Sequence, residues 1–151
     1  MKFRIAAAFA LAVPSSLAAQ AIGDLTTATP IAGEWSYAPT ADGSEARFAN
    51  ASAVPQLWLH CTRATRRVTI AKAAGAAAPL LNVWTSALAE SVASTFIPAT
   101  GRLTADLAGA DPLLDGIANG RGRIGFGVAG QPPLVVPAWA EAARVIEDCR
   151  G

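Results

Sequence analysis

His60 is the only histidine in the sequence, so any catalytic triad or imidazole acid–base step would have to use it. Its chain neighbour is Cys61, one of two cysteines, the other being Cys149. A thiol beside an imidazole is the raw material of a cysteine nucleophile. Both residues, however, lie in the alternating run Gln56-Leu57-Trp58-Leu59-His60-Cys61-Thr62, and adjacent residues of a strand point to opposite faces. His60 is therefore badly placed to deprotonate Cys61. No G-x-S-x-G elbow supplies a serine instead.

Other patterns have simpler explanations. Asp111 and Asp115, with Asp106 nearby, offer paired carboxylates. But Asp111 precedes Pro112, which suits an N-cap and first helical residue, and Asp115 fits a solvated helix position. Gly120-Arg121-Gly122-Arg123-Ile124-Gly125 spells G-x-G-x-x-G, yet a helix is expected before it and a strand after it, the reverse of a dinucleotide site. Asn50-Ala51-Ser52 spells a glycosylation sequon and reads as coincidence. One His and two Cys are too few for a zinc cluster. No residue set is predicted to be catalytic, metal-binding or cofactor-binding.

Recognition chemistry remains. Arg63, Arg66 and Arg67 cluster at one turn, where guanidinium groups are either solvated or available for anion and partner docking. A wider set is Trp58, His60, Arg67, Trp84 and Arg123. Each lies opposite the core-facing residues of its strand. If those strands are neighbours, aromatics and arginines share a face that Gly125 and Gly127 keep shallow, which suits a protein or glycan ligand. The alternative is that a helix or the N-terminal segment covers this face.

The elements that must position these groups are mostly strands. Alternation predicts strands over residues 34–37, 45–49, 56–62, 66–72, 80–86, 102–107 and 123–128, with 134–136 closing the series. Residues 88–96 fit either a helical turn or an irregular strand. A short helix starts at Asp111-Pro112, and Gly116 and Gly120 are expected to keep it short. A second helix is expected from Pro137, with Trp139, Ala142, Ile146 and Cys149 on one face. The fold class is mainly β: an antiparallel β-sandwich or bent sheet of about seven or eight strands, with one short helix and a C-terminal helix.

The chain's first residues read as an address. Lys2 and Arg4 precede an apolar run over residues 5–13, and Ala19-Gln20-Ala21 fits a small-x-small cleavage site. The run is too short for a membrane span. Residues 1–21 are thus expected to be a signal peptide, and residues 22–151 a single periplasmic or secreted β-rich domain with no membrane span after processing. Removing Lys2 and Arg4 leaves 10 basic against 11 acidic residues, which excludes the basic footprint of a nucleic-acid binder. An oxidising destination favours a Cys61–Cys149 disulfide. Inward-facing positions for both, one on its strand and one on the last helix, support the same pairing.

Residues 103–149 resemble a family of small exported bacterial envelope proteins. The likeness is carried by Leu103-Thr104-Ala105-Asp106-Leu107, Asp111-Pro112-Leu113-Leu114-Asp115, Arg121-Gly122-Arg123-Ile124, Leu134-Val135-Val136-Pro137-Ala138-Trp139 and Arg144-Val145-Ile146-Glu147-Asp148-Cys149. The strand holding Cys61 and the following Val68-Thr69-Ile70 also fit. More distantly the chain is similar to invasion-associated locus B proteins and to type VI secretion-associated VasI proteins. The resemblance implies a β-sandwich, an exported location and a disulfide, and it carries no catalytic motif. The expected role is non-enzymatic, binding or accessory to the envelope, with an envelope protein or glycan as partner. An inhibitor of an envelope-directed enzyme and a small hydrolase are the competing readings.

Overall fold

A computed structural model of the chain describes residues 25–151; the expected leader and its cleavage point lie outside them. The described residues form two antiparallel sheets sharing one hydrophobic core. Strands β1 (Gly33–Pro39), β2 (Gly43–Asn50), β3 (Pro55–Thr62) and β4 (Arg67–Ala73) run as consecutive hairpins. β8 (Arg102–Ala108) and β7 (Thr95–Ile97) extend this into a six-stranded sheet, order β1-β2-β3-β4-β8-β7. β10 (Leu134–Pro137), β9 (Arg123–Gly127), β5 (Leu80–Trp84) and β6 (Ala89–Ala93) form the second sheet, in that order. The helices are α1 (Pro112–Ala118) and α2 (Ala140–Asp148).

Alternation decides which face is buried. Leu57, Leu59 and Cys61 on β3, Val68 and Ile70 on β4, and Leu103, Ala105 and Leu107 on β8 all enter the core. From the smaller sheet come Leu81 and Val83, Val92, Ile124 and Phe126, and Val136. A buried core residue of this size contributes about 1.5–3 kcal/mol, so these two facing rows are the main source of stability. α2 packs Ala142, Val145 and Ile146 onto β1, β2 and β3. Cys149, its C-cap residue, is bonded to Cys61, with a Cα–Cα distance of 5.5 Å. The loop so closed spans 88 residues, for which the chain-entropy account gives about 4–5 kcal/mol.

Three expectations change. The described residues hold ten strands rather than seven or eight. The extra two come from residues 88–96, which form β6 and β7 on either side of Ser94. Ser94 turns the chain from one sheet into the other, donating from N and from Oγ to the Pro79 and Ala78 carbonyls, both at 2.9 Å. A strand that changes sheets also changes its inward face, which is why its periodicity was ambiguous.

The C-terminal helix begins at Ala140, because Pro137 still completes β10 opposite Arg123. Trp139 is the extended N-cap residue and stays 46% exposed, outside the buried stripe of Ala142, Ile146 and Cys149. Helix α1 is short, as expected, at seven residues, and Gly116 lies within it. Its missing side chain lets the helix press on Thr85, whose Oγ1 would sit 2.8 Å from a Cβ there. Asp111 caps α1 as expected, accepting from Leu113 N at 2.9 Å.

The β3–β4 connection is a four-residue loop with Arg66 in the left-handed region, φ 51°. This loop class favours Gly or Asn there, and a longer side chain costs about 1–2 kcal/mol.

Candidate functional site

The outer face of the six-stranded sheet is where the charged and aromatic side chains gather. Strand register sets the rows. Glu45 on β2 faces His60 on β3, His60 faces Thr69 on β4, and Thr69 faces Asp106 on β8. In the next row Arg47, Trp58, Ala71 and Thr104 follow one another across the same four strands. Arg67 lies opposite Thr62, one step nearer the hairpin turn.

Hydrogen bonds fix most of these groups. His60 Nε2 lies 3.1 Å from Asp42 Oδ2, and its Nδ1 is 3.8 Å from Glu45 Oε2. Thr40 Oγ1 donates to Asp42 Oδ1 at 2.8 Å. The bond from His60, helped by that from Thr40, holds the Asp42 carboxyl below the usual carboxylate range. On the other flank Arg67 Nε donates to Asp106 Oδ2 and its Nη2 to the Asp106 carbonyl at 3.0 Å. Thr69 Oγ1 donates to Asp106 Oδ1 at 3.2 Å. Trp58 is only 7% exposed because the Arg102 guanidinium covers its ring, 3.6 Å from the centroid. It therefore supports a guanidinium and offers no free stacking surface.

This arrangement lacks the parts of a nucleophilic site. Both ring nitrogens of His60 are near carboxylates, and the hydroxyls of Thr40 and Thr69 donate to Asp42 and Asp106 and not to the imidazole. The three aspartates considered for acid–base work are each engaged separately: Asp106 by Arg67, Asp111 by the α1 N-terminus, and Asp115 by Arg150 at 2.8 Å. Among the described residues no three His, Cys, Asp or Glu side chains are placed to hold a metal ion together. The G-x-G-x-x-G run does follow α1 and enter β9.

The five residues expected on one face divide three and two. Trp58, His60 and Arg67 share the outer face of the larger sheet. Trp84 and Arg123 belong to the smaller sheet, on β5 and β9, which pair with each other and not with β3 or β4. The condition that these strands be neighbours is not met: the chain changes sheet between β4 and β5 and again, through α1, between β8 and β9.

Their surroundings differ too. Residues 25–31 cross the smaller sheet as a strap. Leu25 is 9% exposed and lies against Gly125, where a Cβ would meet its Cδ1. Arg123 Nη1 donates to the Ala28 carbonyl, and Ile31 N donates to Val135 O at 2.9 Å. The floor that Gly125 keeps shallow is thus filled by the chain's own N-terminal segment. This is the covering that the sequence left as an alternative.

Sequence reasoning missed a cluster over the edge of α2. Tyr37 Oη donates to Asp148 Oδ2 at 2.6 Å, and Arg144 stacks on the Tyr37 ring at 4.0 Å. That hydrogen bond, chiefly, lowers the Asp148 pKa. Ser44 is fully buried beside Asp148 without a well-aligned hydrogen bond from its hydroxyl. The partners are 111 residues apart in the chain, and no local pattern joins them.

Compared with models of known protein families, with curated proteins and with solved structures, the chain finds no match.

Proposed function

We propose that the chain is an exported envelope domain, stapled by Cys61–Cys149, that acts by binding and not by catalysis. The observation that carries this reading is the open outer face of the six-stranded sheet. Its arginines, histidine and carboxylates are pre-positioned by mutual hydrogen bonds, yet none of them activates a nucleophile. Fixed, mixed-sign groups on a rigid sheet lose little entropy on binding and choose partners by charge complementarity. A protein or glycan of the envelope fits such a face.

Export is supported by the leader-like first 21 residues, by the disulfide, and by the resemblance to small envelope proteins. Among the described residues no helix is long and apolar enough to cross a membrane. N-terminal sequencing of the exported chain should begin near Ile22; an intact Met1 would contradict the processing.

The binding reading is tested by affinity capture from periplasm with the wild-type domain and with a His60→Ala/Arg67→Ala variant. A discrete partner retained by the wild type and lost by the variant is the expected result. Equal capture by both would move the site elsewhere. Turnover of model ester, peptide or glycoside substrates that disappears in His60→Ala would replace binding with hydrolysis.

A further inference from the structure

At the end of the sandwich that carries the β3–β4 turn, a groove of about 530 Å³ opens between that turn, the loop after β8 and the C-terminal end of the chain. Thr65, Arg66, Gly109, Ala110, Asp115 and Arg150 line it. Ala108, opposite Arg67 on the outer face of the six-stranded sheet, also lines it, so the groove adjoins that face at its turn end.

The two arginines are not equivalent. Arg150 is fully engaged: its Nε donates to Gly109 O at 2.8 Å, its Nη2 to Asp115 Oδ1 at 2.8 Å and its Nη1 to Glu147 Oε1 at 3.3 Å. Arg66 is the opposite case. Its carbonyl accepts from Gly109 N at 2.8 Å, and a Cβ at position 109 would stand 3.0 Å from that carbonyl oxygen. Its backbone is thus clamped in the left-handed region, at φ 51°. Its guanidinium has no hydrogen bond or ion pair to any described residue. A long charged side chain occupies a position where Gly or Asn would be relaxed, and it stands free at the mouth of a groove.

We propose that this groove binds an acidic peptide segment of a partner protein, with Arg66 taking a carboxylate side chain and small residues lying against Gly109 and Ala110. A guanidinium grips a carboxylate bidentately, so one free arginine suffices for this contact. A phosphate fits less well. Gly109 N is already committed to Arg66 O, and the Asp115 carboxylate on the groove wall opposes a compact dianion. The same carboxylate can accept from a peptide N–H. The site goes beyond the large-sheet reading, and either can fail without the other.

The test uses the processed full chain and an array of heptapeptides, each with one Glu or Asp among Ala and Gly. Acidic members should bind, their Gln or Asn counterparts should not, and amide resonances of Gly109 and Ala110 should shift on titration. Arg66→Asn removes the guanidinium but suits the left-handed backbone, so it should fold normally and bind at least tenfold more weakly. Arg121→Asn, outside the groove, should bind like the wild type. Absence of binding by every acidic peptide would overturn the proposal, as would indifference to Arg66→Asn. Shifts confined to the outer face of the six-stranded sheet would assign the peptide to that face instead. Competition by inorganic phosphate at concentrations similar to the peptide would replace a peptide site with a simple oxyanion site.

Discussion

The outer faces of the two sheets are finished in opposite ways. On the larger sheet, hydrogen-bonded pairs stand in solvent, His60 with Asp42 and Arg67 with Asp106, and Arg102 covers the Trp58 ring. On the smaller sheet, Gly125 leaves a hollow that Leu25 fills, and the Ala28 carbonyl takes up Arg123. One face is open and charged; the other is closed by the chain itself. The difference teaches that an aromatic or an arginine on an outward strand position is not enough to mark a ligand surface. Trp84 and Arg123 satisfy that pattern, yet Arg123 serves an internal contact to the Ala28 carbonyl and Trp84 lies on the same strapped sheet.

The largest predicted effect tests what lies beneath the open face. Cys149→Ser should lower stability by about 3–5 kcal/mol, read from denaturant midpoints, because it removes an 88-residue cross-link and leaves a buried hydroxyl. Loss below about 1 kcal/mol would mean that α2 is held by packing alone. Non-reducing mass analysis of the exported chain should find no free thiol.

Next comes the closed face. Leu25→Ala should cost about 1–3 kcal/mol, less than a deep core deletion because the residue sits on an outer surface. It should also raise amide exchange at Ile31, whose N–H bonds to Val135. If neither changes, the strap is not closing the smaller sheet, and the contrast between the faces disappears.

The open face should tolerate change. Arg67→Ala is expected to cost no more than about 1 kcal/mol, since Arg67 and Asp106 are 44% and 50% exposed. A larger loss would make the face structural instead of available for binding.

The smallest effect is in pH. Asp42 and Asp148 both titrate below the ordinary 3.8, the first because of His60 and the second because of Tyr37. A depressed carboxylate binds fewer protons when folded than when unfolded. Its contribution is present above the unfolded value and is lost as pH falls below about 3.8 through the folded one. Asp42→Asn and Asp148→Asn should each flatten stability against pH in that acid range.

The strands bearing the open face were readable because each buries one side. Leu57-Trp58-Leu59-His60-Cys61 and Val68-Thr69-Ile70 alternate as their burial does. Cys61 and Cys149 were readable as inward for the same reason, and Asp111-Pro112 announced α1 through its capping chemistry. Alternation does not reveal which strands are neighbours. That gap placed Trp84 and Arg123 with Trp58, and it hid the sheet change at Ser94. The strap and the Tyr37–Asp148 contact join distant segments, and nothing periodic encodes them. Arg66 was visible as one of three turn arginines, whereas its clamped backbone depends on Gly109, which a β-strand and its turn do not announce.

The most direct measurement compares the two faces in the exported chain. A photo-crosslinking amino acid is placed at position 47, on the outer face of the six-stranded sheet, or at position 91, on β6 of the smaller one. The account predicts a discrete adduct from position 47 that is lost with Arg67→Ala, and no such adduct from position 91. A strong adduct from position 91 with none from position 47 would contradict the assignment of the open, charged face as the binding surface.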